Sequence, residues 1–512
     1  MVSRVLGLLR DLCFAALFGA GKNMDAFFVA FRAPNLLRDL FAEGALSTAF
    51  VTTFSRKIAT EGDQSAWRLA GKMATLTTVF MSIVTIAGIL FADPLIGILA
   101  PGFAPAKRQL TVGLTQVMFP FILLVSLAAL VMGMLNAKNR FAVPALASSF
   151  FNIGSILGGV GVGYLLDPTF GSKGLMGVAI GTLIGGLLQL GVQLPSLKSV
   201  GFTFRPDFHW RDPGVGEVLS LMLPAVISAS AVLINVMVNT IFASYLGDGP
   251  VSWLNNAFRL VQLPIGVFGV AISTVTLPVI SKSAALRQGE AFRSTLARAL
   301  RLAFFLTIPS TIGLVVLARP IIQVLYQRGK FTPFDTIQTA DVLQFYTVGL
   351  VAYSGIKVLA PAFYAIGKKN TPMIVSLLSI VANLLLNWVF TFQLGLGQRG
   401  LALSTGLVAV TNFLFYYLMM RAHSQRFETG RLLTSVAKIL VAALAMGVLC
   451  WVGNRYWISA VHGFLQQIFA LVSVVAAGVL VYSGATFLLR MDEVRDILSI
   501  IKRRFSKRPQ NA

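Results

Sequence analysis

Ten ionisable side chains lie inside segments of the chain that are otherwise apolar. The six basic and four acidic members are Arg4, Arg10, Arg32, Arg38, Arg259, Lys357, Asp11, Asp25, Asp39 and Glu43. A charged side chain at the centre of a bilayer costs roughly 2.5–3.5 kcal/mol, so such residues usually face a water-filled cavity or one another. Because arginine is permanently charged and grips phosphate through two parallel hydrogen bonds, the excess of arginine predicts a site for a phosphate-bearing anion.

These charges do not all predict the same role. Four of them lie near probable helix ends, where structural ion pairs or side chains extending to the membrane interface are expected. They are Arg32, Asp11, Asp39 and Glu43. A binding role is favoured for Arg10, Arg38 and Arg259. Asp25 either holds an arginine in place or acts as a gate on the outer side, and Lys357 has no assignable role.

Two prolines are expected to interrupt the helices that carry these arginines. Pro34 removes a backbone N–H and should break the second helix at Pro34-Asn35, shortly before Arg38. Pro264 follows Arg259 by five residues and should break the eighth helix in a related way. Irregular backbone at membrane depth is tolerated where it lines a cavity. Breaks at similar places in the two halves of the chain therefore predict a central site.

The apolar segments that position these charges recur along nearly the whole chain. Of the 512 residues, 56% are hydrophobic and 12% are charged, which is about half the charged fraction of a soluble domain. A bilayer core needs about 20 apolar residues per helix. Blocks of that kind give about fourteen helices, so the sequence predicts an all-α, polytopic membrane protein.

The formal charge of +23 could indicate nucleic acid binding, but its distribution argues against it. With the N-terminus in the cytoplasm, about 27 lysines and arginines fall in cytoplasmic loops and the tail, and about 9 in outward-facing loops. This pattern predicts a bacterial inner-membrane protein with both termini in the cytoplasm. We expect membrane lipids as neighbours and no nucleic acid partner.

Five short matches within the chain share a separation of 226–228 residues. They are Ala30-Phe31-Arg32 with Ala257-Phe258-Arg259, Ser47-Thr48 with Ser273-Thr274, Ala92-Asp93-Pro94 with Ala318-Arg319-Pro320, Pro144 with Pro372, and Gly174 with Gly400. A common offset indicates two parallel six-helix repeats, with two extra C-terminal helices outside them. The predicted sections are an N-lobe (1–198), a cytoplasmic linker (199–215), a C-lobe (216–422), helices thirteen and fourteen (423–490) and a basic cytoplasmic tail (491–512).

Motifs of catalysis and metal binding are missing from the sequence. The two cysteines, Cys13 and Cys450, make no disulfide framework, and the three histidines have no ligand spacing. There is no Walker loop, no HExxH or GxSxG motif and no pair of catalytic carboxylates. We therefore expect a protein that is not an enzyme and that uses no metal and no cofactor.

Several segments resemble one known family. They are SRVLGLLRD at 3–11, DAFFVAFRAPNLLRDLFAEGALSTAFV at 25–51, APGF at 100–103, VSWLNNAFRLVQLPIGVFGVAISTVTLPVISKS at 251–283 and VLAPAFYAIGKKNTP at 358–372. These segments are similar to the MurJ (MviN) family, within the multidrug/oligosaccharidyl-lipid/polysaccharide exporter superfamily. The resemblance covers nearly the whole chain, although helices thirteen and fourteen match only in hydropathy.

The resemblance implies a lipid II flippase, which moves the undecaprenyl-pyrophosphate-linked peptidoglycan precursor to the periplasmic leaflet by alternating access. It implies substrate-binding arginines in helices one, two and eight. By motif these are Arg4, Arg10, Arg38 and Arg259. It also implies a role for the aspartate that opens helix two, Asp25. The residues themselves, apart from the resemblance, predict gating or charge balance for Asp25 and Asp11 and a cavity lining at Pro34, Asn35 and Pro264. The last two helices would shape a groove for the polyprenyl tail, and cell-wall synthesis proteins are further candidate partners.

Alternative functions stay open at this point. A flippase for another polyprenyl-pyrophosphate oligosaccharide would present the same pyrophosphate to the same arginines. A non-transporting scaffold of the cell-wall machinery would leave the buried charges purely structural. A drug or cation antiporter of the same superfamily would need a net negative cavity, whereas here six basic residues accompany four acidic ones.

Overall fold

The computed structural model describes residues 2–39, 46–368, 370–423 and 428–495. These residues form helices joined by turns and loops, with no β-strand in the part of the chain described. Ten of the described helices are long and apolar enough to cross a membrane, or eleven if one bent pair is a single span. The predicted all-α, polytopic membrane fold is confirmed, whereas the number fourteen stays a prediction. Glu43 and most of the basic tail lie outside the described residues.

Unit 1 is one of two compact units and comprises Met1–Ser252 together with Arg328–Asp335. Its helices are α1 (Val2–Phe18), α2 (Lys22–Leu37), α3 (Ser47–Glu61), α4 (Asp63–Leu90), α5 (Ala92–Leu99), α6 (Pro105–Met118), α7 (Phe121–Ala137), α8 (Ala142–Leu166), α9 (Ser172–Gly191), α10 (Leu194–Ser199) and α11 (Pro213–Ser244). Buried apolar side chains such as Phe14, Met24 and Met118 join α1, α2, α6 and α9 in one core. This core fixes the helices that carry the N-terminal charges.

Unit 2 comprises Trp253–Gln327 and Thr336–Ala512. Its helices are most of α12 (Pro250–Pro264), α13 (Val270–Ala285), α14 (Gly289–Val316), α15 (Ala318–Tyr326), most of α16 (Pro333–Thr347), α17 (Leu350–Ala365), α18 (Asn370–Trp388), α19 (Gln398–His423), α20 (Thr429–Tyr456) and α21 (Phe464–Leu488). Leu300, Phe363 and Ile439 are fully buried in its core. Helices α20 and α21 are therefore integral to this unit.

The order of the helices repeats along the chain. The short helix α5 follows the long α4 and precedes α6 and α7, just as the short α15 follows the long α14 and precedes α16 and α17. This order agrees with two parallel repeats, in which α11 opens the second copy. By its contacts, however, α11 belongs to unit 1. The two structural units and the two sequence repeats therefore divide the chain at different places.

Candidate functional site

Arg10, the partly buried arginine of α1, pairs with its neighbour in sequence. Arg10 Nε and Nη2 donate to Asp11 Oδ1 at 3.1 and 2.9 Å. The Arg10 guanidinium carbon lies 5.5 Å from the centre of the Phe151 ring on α8, within range of a cation–π contact. Arg10 is 16% exposed and Asp11 is 7% exposed, so this cation is largely withdrawn from water. Arg4, at the start of the same helix, is exposed.

Helix α2 continues through Pro34 and ends at Leu37. Arg38 and Asp39 follow in a π-helical turn, and the Arg38 amide bonds to the carbonyls of Pro34 and Asn35. The proline alone predicts that the helix breaks at Pro34-Asn35. That prediction is wrong, because the helix continues through both residues. Proline removes a single N–H, and packed neighbours can stabilise a helix that continues past it. The irregular turn instead coincides with Arg38 itself.

Arg38, at the C-terminal end of α2, pairs with the aspartate that follows it in the same way as Arg10 does on α1. Its Nε and Nη2 donate to Asp39 Oδ1 at 3.2 and 2.9 Å. Arg38 is 22% exposed and Asp39 is 38% exposed. Each of these arginines is thus oriented by the aspartate that follows it, while remaining partly accessible.

Arg259 lies in unit 2 on α12, where its side chain is half-buried. The α-helix ends at Pro264, and the π-helical turn Ile265–Gly269 follows before α13 begins. The Val270 amide bonds to the Ile265 carbonyl, five residues earlier. Such π-turns occur frequently at functional sites. The irregular turn therefore begins directly after Pro264, shortly beyond Arg259 along the chain.

Asp25, near the start of α2, is fully buried and accepts four hydrogen bonds. Lys107 Nζ donates at 2.9 Å and the Gly249 amide at 2.7 Å, both to Oδ2. The Ser252 amide and hydroxyl donate to Oδ1 at 2.8 and 2.6 Å. Asp25 therefore caps the N-terminus of α12, where the helix dipole favours a negative charge.

Lys107, on α6, is the cation that balances Asp25. It is 3% exposed, and its Nζ also donates to the Gly247 carbonyl at 3.1 Å and to Asp248 Oδ1 at 2.8 Å. The place of Lys107 outside the apolar blocks predicts only a loop cation, so its buried role is not evident from the sequence. A usable signal was its place two residues after Pro105, at a helix start directly following APGF. Asp25, Lys107, Asp248, Gly249 and Ser252 are called the Asp25 cluster below.

Two glycine turns bring chain segments together in unit 1. The Gly102 amide donates to Ser244 Oγ at 3.0 Å, and a Cβ on Gly102 would lie 2.7 Å from the Ser244 carbonyl. Gly329, with φ +56°, approaches α1 so closely that a Cβ would lie 2.1 Å from the Ala16 oxygen. The adjacent Lys330 amide bonds to that oxygen at 2.8 Å. Gly102 and Gly329 occupy corresponding positions in the two repeats. The loop that carries this glycine therefore contacts the first helix of the other repeat, which is α11 for Gly102 and α1 for Gly329.

The described residues contain no group of three or more histidine, cysteine, aspartate or glutamate side chains placed to hold a metal ion. Polar side chains inside α18 and α19 bond to one another. Asn387 Nδ2 donates to Asn383 Oδ1 at 3.1 Å, and Ser404 Oγ donates to Asn387 Oδ1. All three of these side chains are buried, so the cluster satisfies polar groups within apolar helices.

Comparison with known proteins decides the family. The family model described as lipid II flippase MurJ matches residues 14–481. The chain belongs to the MurJ lipid II flippase family. A Vibrio cholerae protein named probable lipid II flippase MurJ is 34% identical over 501 residues, covering 96% of this chain and 94% of that protein. The lipid II flippase MurJ of Burkholderia cenocepacia is 35% identical over 459 residues, covering 88% and 87%.

Solved structures agree with membership of the MurJ family. A structure of lipid II flippase MurJ in an inward closed conformation has a TM-score of 0.78 and 28% identity, covering 97% of this chain and 98% of that one. An inward-facing multidrug resistance MATE transporter of the MOP superfamily has a TM-score of 0.70 at 18% identity, covering 82% and 95%. At that identity the MATE transporter shows a shared fold alone. The resemblance noted from the arginine-bearing motifs is thus confirmed.

Proposed function

We propose that this chain is a lipid II flippase of the bacterial inner membrane, with both termini in the cytoplasm. It carries the undecaprenyl-pyrophosphate-linked peptidoglycan precursor from the cytoplasmic to the periplasmic leaflet by alternating access, and so supports cell-wall growth and cell shape. The observation that carries this proposal is the match to the MurJ lipid II flippase family over residues 14–481. A multi-pass helical fold without an obvious catalytic motif fits transport rather than catalysis.

The arginines supply the contacts with the substrate. Arg10, Arg38 and Arg259 hold the pyrophosphate, and Arg4 assists from the exposed start of α1. The Asp25 carboxylate is engaged by Lys107, so it does not neutralise an arginine. Among the described residues, α1, α2 and the turn after α2 therefore carry four arginines against two other acids. They are Arg4, Arg10, Arg32, Arg38, Asp11 and Asp39. This surplus of positive charge favours an anionic substrate over the cationic cargo of an antiporter.

The membrane potential provides a driving force for export. A potential of 100 mV, negative inside, favours outward movement of an anion by about 2.3 kcal/mol per charge. Pyrophosphate supplies such a charge on the headgroup, while the polyprenyl tail remains in lipid. Transport driven in this way requires no ATP, in keeping with a sequence that has no Walker loop.

The Asp25 cluster acts as the outer gate. It ties α2 and α6 to the first residues of α12 through a buried carboxylate and a buried ammonium group whose hydrogen bonds are all made within unit 1. Asp248, at its edge, is 57% exposed, so water can reach the cluster from that side. Opening replaces these internal bonds by bonds to water, which keeps the buried charges solvated during the change.

Complementation tests the function directly. Cells depleted of their own lipid II flippase would receive the parent chain, Arg38→Ala, Arg259→Ala or Arg56→Ala at equal membrane levels. Arg56 is the matched control, because it lies on α3, is 56% exposed and pairs with Glu217. We expect the parent and Arg56→Ala to rescue growth and the other two variants to fail, since each removes a phosphate contact.

Each other outcome has a definite meaning. Rescue by all variants would show that the arginines are structural and would overturn the assigned site. Failure of a well-expressed parent chain would contradict lipid II as substrate and would favour another polyprenyl-pyrophosphate oligosaccharide or a non-transporting scaffold. Loss of rescue by Arg56→Ala as well would indicate a general need for positive charge.

A further inference from the structure

A polar cavity of about 370 Å³ lies in unit 2, where α20 turns into α21. Its walls come from the start of α15, the end of α20, the short 3₁₀ turn Ile458–Ala460 and the first residues of α21. Arg319 projects from α15, Arg455 from the last turn of α20, and His462 from the segment that follows the 3₁₀ turn. Three elements therefore bring basic side chains to one cavity.

The cavity carries positive charge without a compensating acid. None of its lining residues is an aspartate or glutamate. Within the described part of the chain, neither Arg319 nor Arg455 has a carboxylate at ion-pair distance, unlike Arg399, which pairs with Asp341. Two guanidinium groups beside one cavity repel each other unless an anion lies between them. The arrangement therefore favours binding of an anion.

The corresponding position in the first repeat carries the opposite charge. Asp93 opens α5 as Arg319 opens α15, and Arg108 donates to both Asp93 oxygens, each at 2.9 Å. That pair is bidentate and neutral. In the second repeat the carboxylate is replaced by Arg319, and α20 and α21, which the first repeat lacks, add Arg455 and His462. The basic cavity is thus specific to the second repeat and its two extra helices.

The side chains around the cavity place it at the level of lipid headgroups. Two apolar spans, Thr429–Ala460 and Phe464–Leu488, end at this turn. Trp451 and Tyr456 are exposed at 57% and 73%, and the Trp457 ring packs edge-to-face on Phe469. Tryptophan and tyrosine concentrate at the membrane–water interface. With the N-terminus in the cytoplasm, the turn after α20, which is the thirteenth of the predicted membrane helices, faces outward.

We propose that this cavity binds the phosphate of a lipid in the outer leaflet. The guanidinium forks of Arg319 and Arg455 grip the phosphate oxygens, with the polar side chains of Asn454 and His462 beside them. Such a phosphate has two sources, an anionic phospholipid of the bilayer or the pyrophosphate of a lipid that has just been translocated. The outer-leaflet placement rests on the proposed topology, and the second source rests in addition on the proposed transport of lipid II.

Lipid titration distinguishes the two sources. Full-length protein in neutral detergent would be titrated with dioctanoyl phosphatidylglycerol, dioctanoyl phosphatidylcholine and farnesyl pyrophosphate, with apparent Kd values taken from the rise in Tm. For Arg319→Gln/Arg455→Gln, we expect the apparent Kd of the preferred phosphate lipid to rise about tenfold or more. Arg108→Gln is the matched control and should leave that Kd unchanged.

The pattern across the three lipids decides the result. A selective loss of phosphatidylglycerol binding identifies a phospholipid site, and a selective loss of farnesyl pyrophosphate binding identifies an exit site for the translocated lipid. Equal Kd values in the parent and double variant, or an equal loss in Arg108→Gln, would overturn the proposal. If the double variant does not fold, Arg319→Lys/Arg455→Lys keeps both charges but loses the forks, and unchanged binding there would contradict fork recognition. The phosphatidylglycerol result does not depend on complementation.

Discussion

Corresponding positions of the two repeats hold different charges and use them differently. The first repeat has Asp25, Asp93 and Lys107 where the second has Ser252, Arg319 and Asp335. In the first repeat all three side chains form ion pairs, one of them deeply buried. In the second repeat Ser252 donates to Asp25, Asp335 bonds locally to Thr332, and Arg319 lines a basic cavity. The shared backbone thus sets the positions, while divergence of side chains gives ion pairs at these positions in the first repeat and a basic cavity at one of them in the second.

The largest effect is expected from Lys107→Met. It leaves Asp25 buried without its cation, so we expect a loss of about 3–5 kcal/mol in the free energy of unfolding and no rescue of flippase-depleted cells. Denaturant unfolding of the purified protein measures the first effect. Arg108→Met, at the neighbouring residue, breaks an exposed pair with Asp93 and should cost less than about 1 kcal/mol.

Equal losses from the two methionine variants would contradict the distinction between buried and exposed pairs. A double-mutant cycle measures the interaction between Asp25 and Lys107. Asp25→Asn/Lys107→Met removes both charges together, so its loss should be smaller than the sum of the single losses. A loss in the double variant equal to the sum of the two single losses would show that the two groups do not interact.

The close approach of Gly329 to α1 allows a second test, through Gly329→Ala. The added Cβ would lie 2.1 Å from the Ala16 oxygen, and φ is +56°, so we expect a loss of about 2–3 kcal/mol from clash and backbone strain. Gly367→Ala is the control, because Gly367 has φ +74° but nothing within 4 Å of such a Cβ. It should lose only about 1 kcal/mol. Equal Tm values for the two variants would rule out the close approach.

A smaller effect is expected from Thr332→Val, beside the second-repeat counterpart of Lys107. Thr332 Oγ1 accepts from the Asp335 amide at 3.2 Å, and Asp335 Oδ2 accepts from the Thr332 amide at 2.9 Å. This reciprocal cap stabilises the start of α16 locally, so its loss should cost about 1 kcal/mol and leave rescue intact. Thermal unfolding measures the cost, and loss of rescue in a stable variant would show that the second repeat also uses this position for closure.

The weakest predicted effect concerns pH and the partly buried pair of Asp212 with Lys72. Burial alone would raise the pKa of Asp212, but the hydrogen bonds from Lys72 and the Gly214 amide, with the charges of Lys72 and Lys57, lower it overall. A lowered folded pKa adds stability above the usual aspartate value of about 3.9, and this is lost as pH falls through the folded pKa. The contribution should be below about 1 kcal/mol.

Unfolding measured from pH 6 to pH 3 tests this sign. The parent should lose stability relative to Asp212→Asn only below about pH 4. Parallel curves for the two proteins across that range would show that the pair contributes nothing. A relative gain at low pH would mean that burial, rather than Lys72, controls the carboxyl.

Much of the architecture was available from composition and periodicity. Apolar blocks of membrane length predicted the helices, and the constant offset predicted which helices correspond. The energetic cost of intramembrane charge singled out Arg10, Arg38 and Arg259 before any family was considered. These features can be predicted because they depend on local segments of the chain and on the solvent around them. Whether these arginines bind substrate stays a prediction.

The partners of the charges were harder to predict. Lys107 is 82 residues from Asp25, and a loop lysine of a membrane protein is usually a topology signal rather than a buried ion-pair partner. An ion pair is predicted for Asp11, but Arg10 is not predicted as its partner, because neighbours on a helix do not face each other and only a long side chain bridges them. Tertiary packing brings Arg319 and Arg455 to one cavity, and no periodic pattern encodes that arrangement.

The inserted segment Arg328–Asp335 has a consequence for the order of synthesis. It completes unit 1, where the Lys330 ammonium donates to the carbonyls of Thr169 and Phe170 at 2.6 and 2.9 Å. On the ribosome these residues emerge only after Trp253–Gln327 has been translated. Unit 1 therefore cannot mature as an independent N-terminal product. In a nascent chain halted at Ser252, the carbonyls of Thr169 and Phe170 lack the Lys330 donor, because Lys330 has not yet been synthesised. Folding of the first unit is therefore coupled to translation of the second.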